Sequence, residues 1–216
     1  MNQTVVTDAS PAAAWQAMRD GNVRFVAGTP RHRLDVDRRA ELVGMQTPHA
    51  ALFGCSDSRL AAEIIFDQGL GDLFVVRNAG QVISESVLGS LEYAVAVLHV
   101  PLILVLGHDE CGAVRAAIDS QSADTPALPA HIANIIAKIV PAVRRVSGAG
   151  SSAPLEPTQI DAGLVGREHL KDTVTELLEQ SEVISAAIAE GTLAIVGANY
   201  VLSEGQADPY IVVGIL

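Results

Sequence analysis

Apolar positions along the chain fall into short continuous runs separated by segments with helical spacing. Ser10-Pro11 ahead of AAAWQAM supplies a capping hydroxyl and a proline at the first helical position, and Trp15 and Met18 lie one turn apart, so the spacing predicts an amphipathic opening helix. It forms part of a helical arm expected over residues 1–28. Gly28 to Asp37 reads as a loop before a short helix near Arg38 to Met45. The run AALF within His49 to Gly54 predicts a strand, as do Leu73, Phe74, Val75 and Val76 within Asp72 to Arg77. Pro101 to Leu106, closed by Gly107, is the clearest strand of all.

Val87, Leu91, Ala94 and Leu98 share one face of a helix predicted over Val82 to Leu98, and another helix opens near Cys111. After a break at Asp119 to Pro129, helical material is interrupted at Pro141 and followed by a loose stretch from Ser147 to Pro157. One long helix is expected over Asp161 to Glu190, with Leu170, Val174, Leu177, Ile184 and Ile188 on one stripe and Gly191 as its stop. Thr192 to Ala198 reads as a last core strand and Pro209 to Val213 as an edge strand. Strands alternating with helices predict an α/β fold with a mainly parallel central sheet flanked by helices, because right-handed crossovers cover both faces.

Composition narrows the function. With 216 residues, 49% of them hydrophobic, and no internal repeat, one domain over 1–216 is expected. A formal net charge of −11 repels phosphate backbones and anionic lipid, so neither nucleic acid nor membrane is an expected partner. The longest apolar stretch, Tyr93 to Leu106, is broken by His99 and Pro101 and falls short of the roughly 20 residues a bilayer requires. MNQTVVTDAS has no basic, hydrophobic leader pattern, which points to the cytoplasm, and two cysteines are too few for a disulfide scaffold.

The chemistry sits in two loops at predicted strand ends, where open α/β sheets bind ligands. One is Cys55-Ser56-Asp57-Ser58-Arg59, the other Gly107-His108-Asp109-Glu110-Cys111-Gly112. Two thiols, an imidazole and a carboxylate are the ligand types of a tetrahedral zinc ion, and a helix N-terminus at Cys111 favours its thiolate. A disulfide between Cys55 and Cys111 is the competing arrangement. Asp57 and Arg59 alone would read as a solvated ion pair. His32, His49, His99, His131 and His169 have no ligand-like companions and are expected to be structural or exposed. Gly107 and Gly112 fit neither phosphate-loop pattern.

These loops resemble the paired zinc motifs of the β-class carbonic anhydrases, C-x-D-x-R followed by H-x-x-C. The resemblance extends to FVVRNAG at Phe74 to Gly80, LEYAV at Leu91 to Val95, and Gln46, and more loosely to LAIVGANY in the last strand. It covers about Trp15 to Arg115 and implies that family's fold, with Zn2+ held by Cys55, His108 and Cys111. It implies a lyase, carbonate dehydratase, that reversibly hydrates carbon dioxide to bicarbonate and a proton by attack of zinc-bound hydroxide. Asp57 then has two possible places: paired with Arg59, leaving the fourth zinc position to water, or on the zinc itself, closing the site. By the same resemblance Gln46 donates a side-chain amide to substrate, Gly112 gives it room, and Phe74, Ala79 and Tyr93 line the cleft, partly across a subunit boundary. A homodimer or a dimer of dimers follows, with the opening helix and Trp15 against a neighbouring subunit. Two thiolates cancel the metal's charge, so its water is expected to be less acidic than the value of about 7 found with three imidazoles, and activity to rise toward alkaline pH. Rival readings are a carbonyl sulfide or carbon disulfide hydrolase on the same scaffold and a non-catalytic zinc module with Asp57 as a permanent ligand.

Overall fold

The apolar runs become β1 (Ala50–Cys55), β2 (Leu73–Asn78), β3 (Leu102–His108), β4 (Ala194–Val201) and β5 (Gln206–Val213) in a computed structural model that describes residues 10–31, 36–148 and 154–216. Expectations for residues 1–9, for His32 and for the middle of the stretch after Ser147 lie outside the described residues. The strands form one sheet in the order β2-β1-β3-β4-β5, parallel except for the antiparallel β4–β5 pair. Every residue of β1 and β3 is buried, and successive side chains enter opposite faces. Leu52, Leu104 and Val196 join the core on one side, while Phe53, Val105 and Ile195 join the core on the other.

Helices α1 (Pro11–Val26), α5 (Gly112–Asp119), α6 (Ala130–Ala137) and α7 (Val140–Ser147) contribute to the first core. Helices α4 (Glu85–Ala96), α8 (Ala162–Gln180) and α9 (Glu182–Ala189) fill the second. Two short helices, α2 (Val36–Glu41) and α3 (Ala62–Ile65), precede and follow β1. The α/β architecture is the one the alternating pattern predicts. Among the described residues no helix is long and apolar enough to cross a membrane.

The opening helix starts where predicted, with the Ser10 hydroxyl accepting a hydrogen bond from the Ala13 amide at 3.1 Å. It is docked on its own chain. Trp15 and Met18 are buried in the first core, and the Asn22 amide donates to the carbonyls of Ile65 and Gly205 at 3.1 and 2.8 Å. A Cβ at Gly21 would lie 1.7 Å from the Phe66 carbonyl oxygen, so only glycine lets the helix approach this closely. Trp15 is therefore a core residue of the same chain rather than one held out for a neighbour.

Several boundaries differ from expectation, the short helix near Arg38 running over Val36–Glu41 among them, and three differ for a local reason. The single helix expected over 161–190 breaks at Ser181, whose backbone is extended and whose hydroxyl accepts from the Ile184 amide and donates to Glu92 Oε1 at 2.7 Å. A serine that caps the following turn competes with helix continuation, although the apolar stripe runs through. Pro141 lies in the first turn of α7, where its missing N–H is not needed, so the interruption precedes it. The edge strand starts at Gln206 rather than Pro209, because Pro209 sits at a register shift opposite Ala198, where an edge tolerates proline.

His169 faces inward from α8 and is 3% exposed. Desolvation pulls its pKa below the usual value, against the bond to the Gly80 carbonyl and the charges of Asp172 and Glu176, which favour the proton. The unfolded chain therefore takes up a proton on this ring at a higher pH than the folded chain does. Stability from the neutral ring is complete above the unfolded pKa of about 6.5 and is lost as pH falls below it. The midpoint of thermal unfolding should drop more steeply between about pH 7.5 and 5.5 in the wild type than in His169→Gln, which has no such proton to bind. Parallel slopes would contradict the linkage.

Candidate metal centre

The site is built by strand ends. β1 and β3 pair in parallel with Gly54 opposite Leu106, so Cys55, the last residue of β1, and His108, the last of β3, emerge at the same edge of the sheet. Glu110, at a φ of 49°, turns the chain back, and Cys111 stands immediately before α5. The result is one cluster: the ligand atoms of Cys55, His108 and Cys111 all lie within 4.8 Å of one another, and all three residues are buried. Both cysteines are free, so the disulfide alternative does not hold in this structure.

The donor set fits zinc on three grounds. His108 Nδ1 lies 2.7 Å from the Asp109 carbonyl oxygen, which only accepts, so Nδ1 carries the proton and Nε2 presents a lone pair. That Nε2 is buried without a hydrogen-bond partner, a cost that a cation among the three ligands removes. Finally, a tetrahedral zinc with bonds of about 2.0–2.3 Å separates its ligand atoms by roughly 3.3–3.8 Å, so atoms within 4.8 Å of one another need to close by about 1.0–1.5 Å at most, within reach of side-chain rotation.

The two sulfurs are electrostatically unequal. Cys55 is pulled below the usual thiol value, first by a hydrogen bond from Cys111 and then by the Gly80 and Asp57 backbone, with burial opposing. Cys111 is pushed up by the same bond and by burial; the Val114 and Ala113 amides at the start of α5 pull it the expected way but are outweighed. Between themselves the sulfurs thus share one proton, and a divalent cation takes its place by favouring both thiolates.

Asp57 is not part of the three-residue cluster; Arg59 holds it. Arg59 Nε donates to Oδ1 at 2.9 Å, Nη2 to Oδ2 at 2.7 Å, and the Arg59 backbone amide to Oδ1 at 2.9 Å. These bonds hold the Asp57 carboxyl well below the usual carboxylate range. Arg59 Nη2 also reaches the Glu110 carbonyl at 3.2 Å, tying the two loops together. Arg77 fixes the first loop by donating to the carbonyls of Cys55 and Asp57 at 2.9 and 2.7 Å. Asp109 fixes the second, its Oδ1 accepting from the Leu202 amide at 2.9 Å while its own amide donates to Tyr200.

The outer residues divide. Phe74 and Tyr93 meet, ring centroids 6.1 Å apart and planes tilted by 35°. Ala79 is exposed. A Cβ on Gly112 would have no neighbour within 4 Å, so open space adjoins the backbone beside Cys111. Gln46 is exposed in the segment between α2 and β1 and lies outside the Cys55–His108–Cys111 cluster. Sequence reasoning gave no role to Arg77 or Gly80, for which the FVVRNAG match was the available signal, or to Asp109, whose partner is 93 residues away.

Comparisons agree with the geometry. A family profile described as Carbonic anhydrase matches residues 50–207. Carbonic anhydrase 2 of Mycobacterium tuberculosis is 50% identical over 200 residues, 92% of each chain. Carbonic anhydrase of Mycolicibacterium smegmatis is 47% identical over 93% of this chain and 94% of its own. Among solved structures, the β-carbonic anhydrase of Coccomyxa in complex with acetazolamide matches with a TM-score of 0.67 and 26% identity, over 94% of this chain and 87% of that one. A tetrameric β-carbonic anhydrase of Sordaria macrospora shares the fold, with a TM-score of 0.67 at 24% identity over 79% of this chain and 84% of its own. Half identical to a mycobacterial relative over nearly its whole length, and with the expected ligand loops at the ends of two parallel strands, the chain belongs to the β-class carbonic anhydrase family.

Proposed function

We propose that the protein holds one zinc ion on Cys55, His108 and Cys111 and catalyses the reversible hydration of carbon dioxide to bicarbonate and a proton. The observation that carries this reading is the three-ligand cluster beside a carboxylate whose two oxygens are both held by Arg59. When bound, zinc supplies the Lewis acidity that lets water act as hydroxide near neutral pH. Asp57, kept ionised, is acceptor-only, so it takes the nucleophile's remaining proton in a hydrogen bond and leaves a lone pair to meet the carbon. Gly112 leaves room for the substrate, and Phe74, Ala79 and Tyr93 offer an apolar wall suited to an uncharged, linear molecule. The open pairing of Asp57 with Arg59 speaks against a module closed by a fourth protein ligand.

Gln46, the amide donor of this scheme, lies between exposed Val43 and Met45 on one side and β1 on the other, and apolar area at that place suits a contact with a second copy. In this reading the active unit is a homodimer or a dimer of dimers, as in the Sordaria structures described as tetrameric. Thiolate ligands and an acidic surface suit a reducing cytoplasm.

The purified protein should carry about one zinc per chain and hydrate carbon dioxide at a rate that climbs from about pH 6 to pH 9, because two thiolates make the metal a weaker acidifier than three imidazoles do. Stopped-flow assays with carbon dioxide, carbonyl sulfide and carbon disulfide separate the alternatives. Zinc binding with turnover of a sulfur gas alone would replace the substrate assignment, and zinc binding with no turnover would point to the structural module.

Arg59→Ala removes the clamp and frees Asp57 to approach the cluster. Zinc content should stay near that of the wild type while carbon dioxide hydration falls by roughly 10–100-fold. Wild-type turnover in this variant would remove Arg59 from the scheme.

A further inference from the structure

We infer that His169, on α8, is a positioning residue for the Cys55 ligand, acting through the backbone of Gly80; the inference rests on the zinc reading above. The connecting piece is the tight turn over residues 78–82. Asn78 closes it, donating from Nδ2 to the Val82 carbonyl at 2.7 Å and accepting from the Val82 amide at 2.9 Å. Inside it, the Gly80 amide donates to Cys55 Sγ at 3.3 Å. Gly80 has a φ of 76°, and a Cβ there would come within 2.9 Å of the Ala113 side chain and 3.0 Å of Ile139, so the turn is pressed against α5 and the start of α7.

From behind, α8 holds the Gly80 carbonyl of this turn. His169 Nε2 lies 2.7 Å from the Gly80 oxygen and donates to it, while the single Thr173 hydroxyl proton faces the His169 carbonyl of its own helix at 2.9 Å and the Gln81 oxygen at 3.3 Å. His169 and Thr173 stand one helical turn apart and are 3% and 1% exposed. Gly80 is thus fixed at both ends, its carbonyl by His169 and its amide on the sulfur. The Asn78–Val82 clasp sets the shape of the turn, and the bond from His169 sets the orientation of the Gly80 peptide within it.

The ring itself points the same way. With Nε2 committed as donor, Nδ1 is the acceptor nitrogen, and it is buried without a partner. A buried polar atom left unpaired is unfavourable, and an apolar side chain of similar size would avoid that cost if packing were all the position required. The imidazole therefore serves its single bond. The bond of the Gly80 amide to the Cys55 sulfur is the outer contact that orients a ligand and tunes its basicity, a kind worth roughly 10–100-fold in metal affinity, and His169 acts on it from one bond further out.

The test compares zinc-loaded wild type with His169→Leu and His169→Gln. Leucine keeps apolar bulk and removes the donor; glutamine carries an amide N–H to about the reach of Nε2. Competition against a chromophoric chelator should show zinc held up to roughly 10-fold more weakly by His169→Leu, the lower end of the range for direct ligand partners, with affinity restored in His169→Gln. In cobalt-substituted protein the thiolate-to-cobalt charge-transfer absorption should shift in the leucine variant and return in the glutamine one. A lower melting temperature with unchanged zinc affinity and an unshifted absorption would overturn the inference, leaving His169 a packing residue. If His169→Leu does not fold, His169→Met, which keeps apolar bulk and likewise has no donor, takes its place with the same two readouts; no shift there overturns the inference equally. Wild-type protein that fails to bind zinc would sink the zinc reading itself, a result distinct from either.

Discussion

The parallel pairing of β1 with β3 is the constraint on which the site depends. With Gly54 opposite Leu106, the strands end together, and Cys55 and His108 leave the sheet side by side. The strand order puts β2 on one flank of β1 and β3 on the other, so the loops that follow β1 and β3 lie at the point where the chain reverses its direction of winding, the usual place for a ligand in an open parallel sheet. A slip of one residue would turn every side chain of a strand to the opposite face. What prevents it is the division of bulk between the two cores, with Leu52 and Leu104 on one side and Phe53 and Val105 on the other. Ligand geometry is thus inherited from hydrophobic packing on both faces of the sheet, which resists displacement because close-packed interiors deform little.

Around that frame, hydrogen bonds aim the ligands. Asp109 sets the tautomer of His108 through its carbonyl and secures the loop to the end of β4 through its carboxylate. Arg77 pins the carbonyls on either side of Ser56, and Arg59 occupies both oxygens of Asp57. Two guanidinium groups therefore brace the loop that carries Cys55 in a chain whose overall charge is −11. Their contacts differ, since Arg77 donates to the backbone that carries Cys55 and Arg59 to the carboxylate of Asp57.

Much of this was legible from the residues because the signals were local. Runs such as AALF and LILVL mark strands buried on both faces, and the spacing of Cys55, Asp57 and Arg59, then of His108 and Cys111, carries the chemistry within two short loops. What was not legible depends on distant partners. The stripe from Leu170 to Ile188 continues across Ser181, and the break there joins a local cap on the Ile184 amide to a contact of the same hydroxyl with Glu92 on α4, which no spacing announces. The arm pattern around Trp15 does not show which residues of its own chain the helix meets; the bonds from Asn22 to Ile65 and Gly205 do. His169 lies 89 residues from the carbonyl it holds, and no spacing rule links the two.

The central claim is that two sulfurs and one imidazole nitrogen converge on a metal while a fourth corner remains for a light atom. Zinc K-edge X-ray absorption on the purified protein reads that arrangement directly. The account predicts two sulfur neighbours at about 2.3 Å and two nitrogen or oxygen neighbours at about 2.0–2.1 Å, one of them with the outer-shell scattering of an imidazole ring. A zinc shell without sulfur, or with only one, would contradict it.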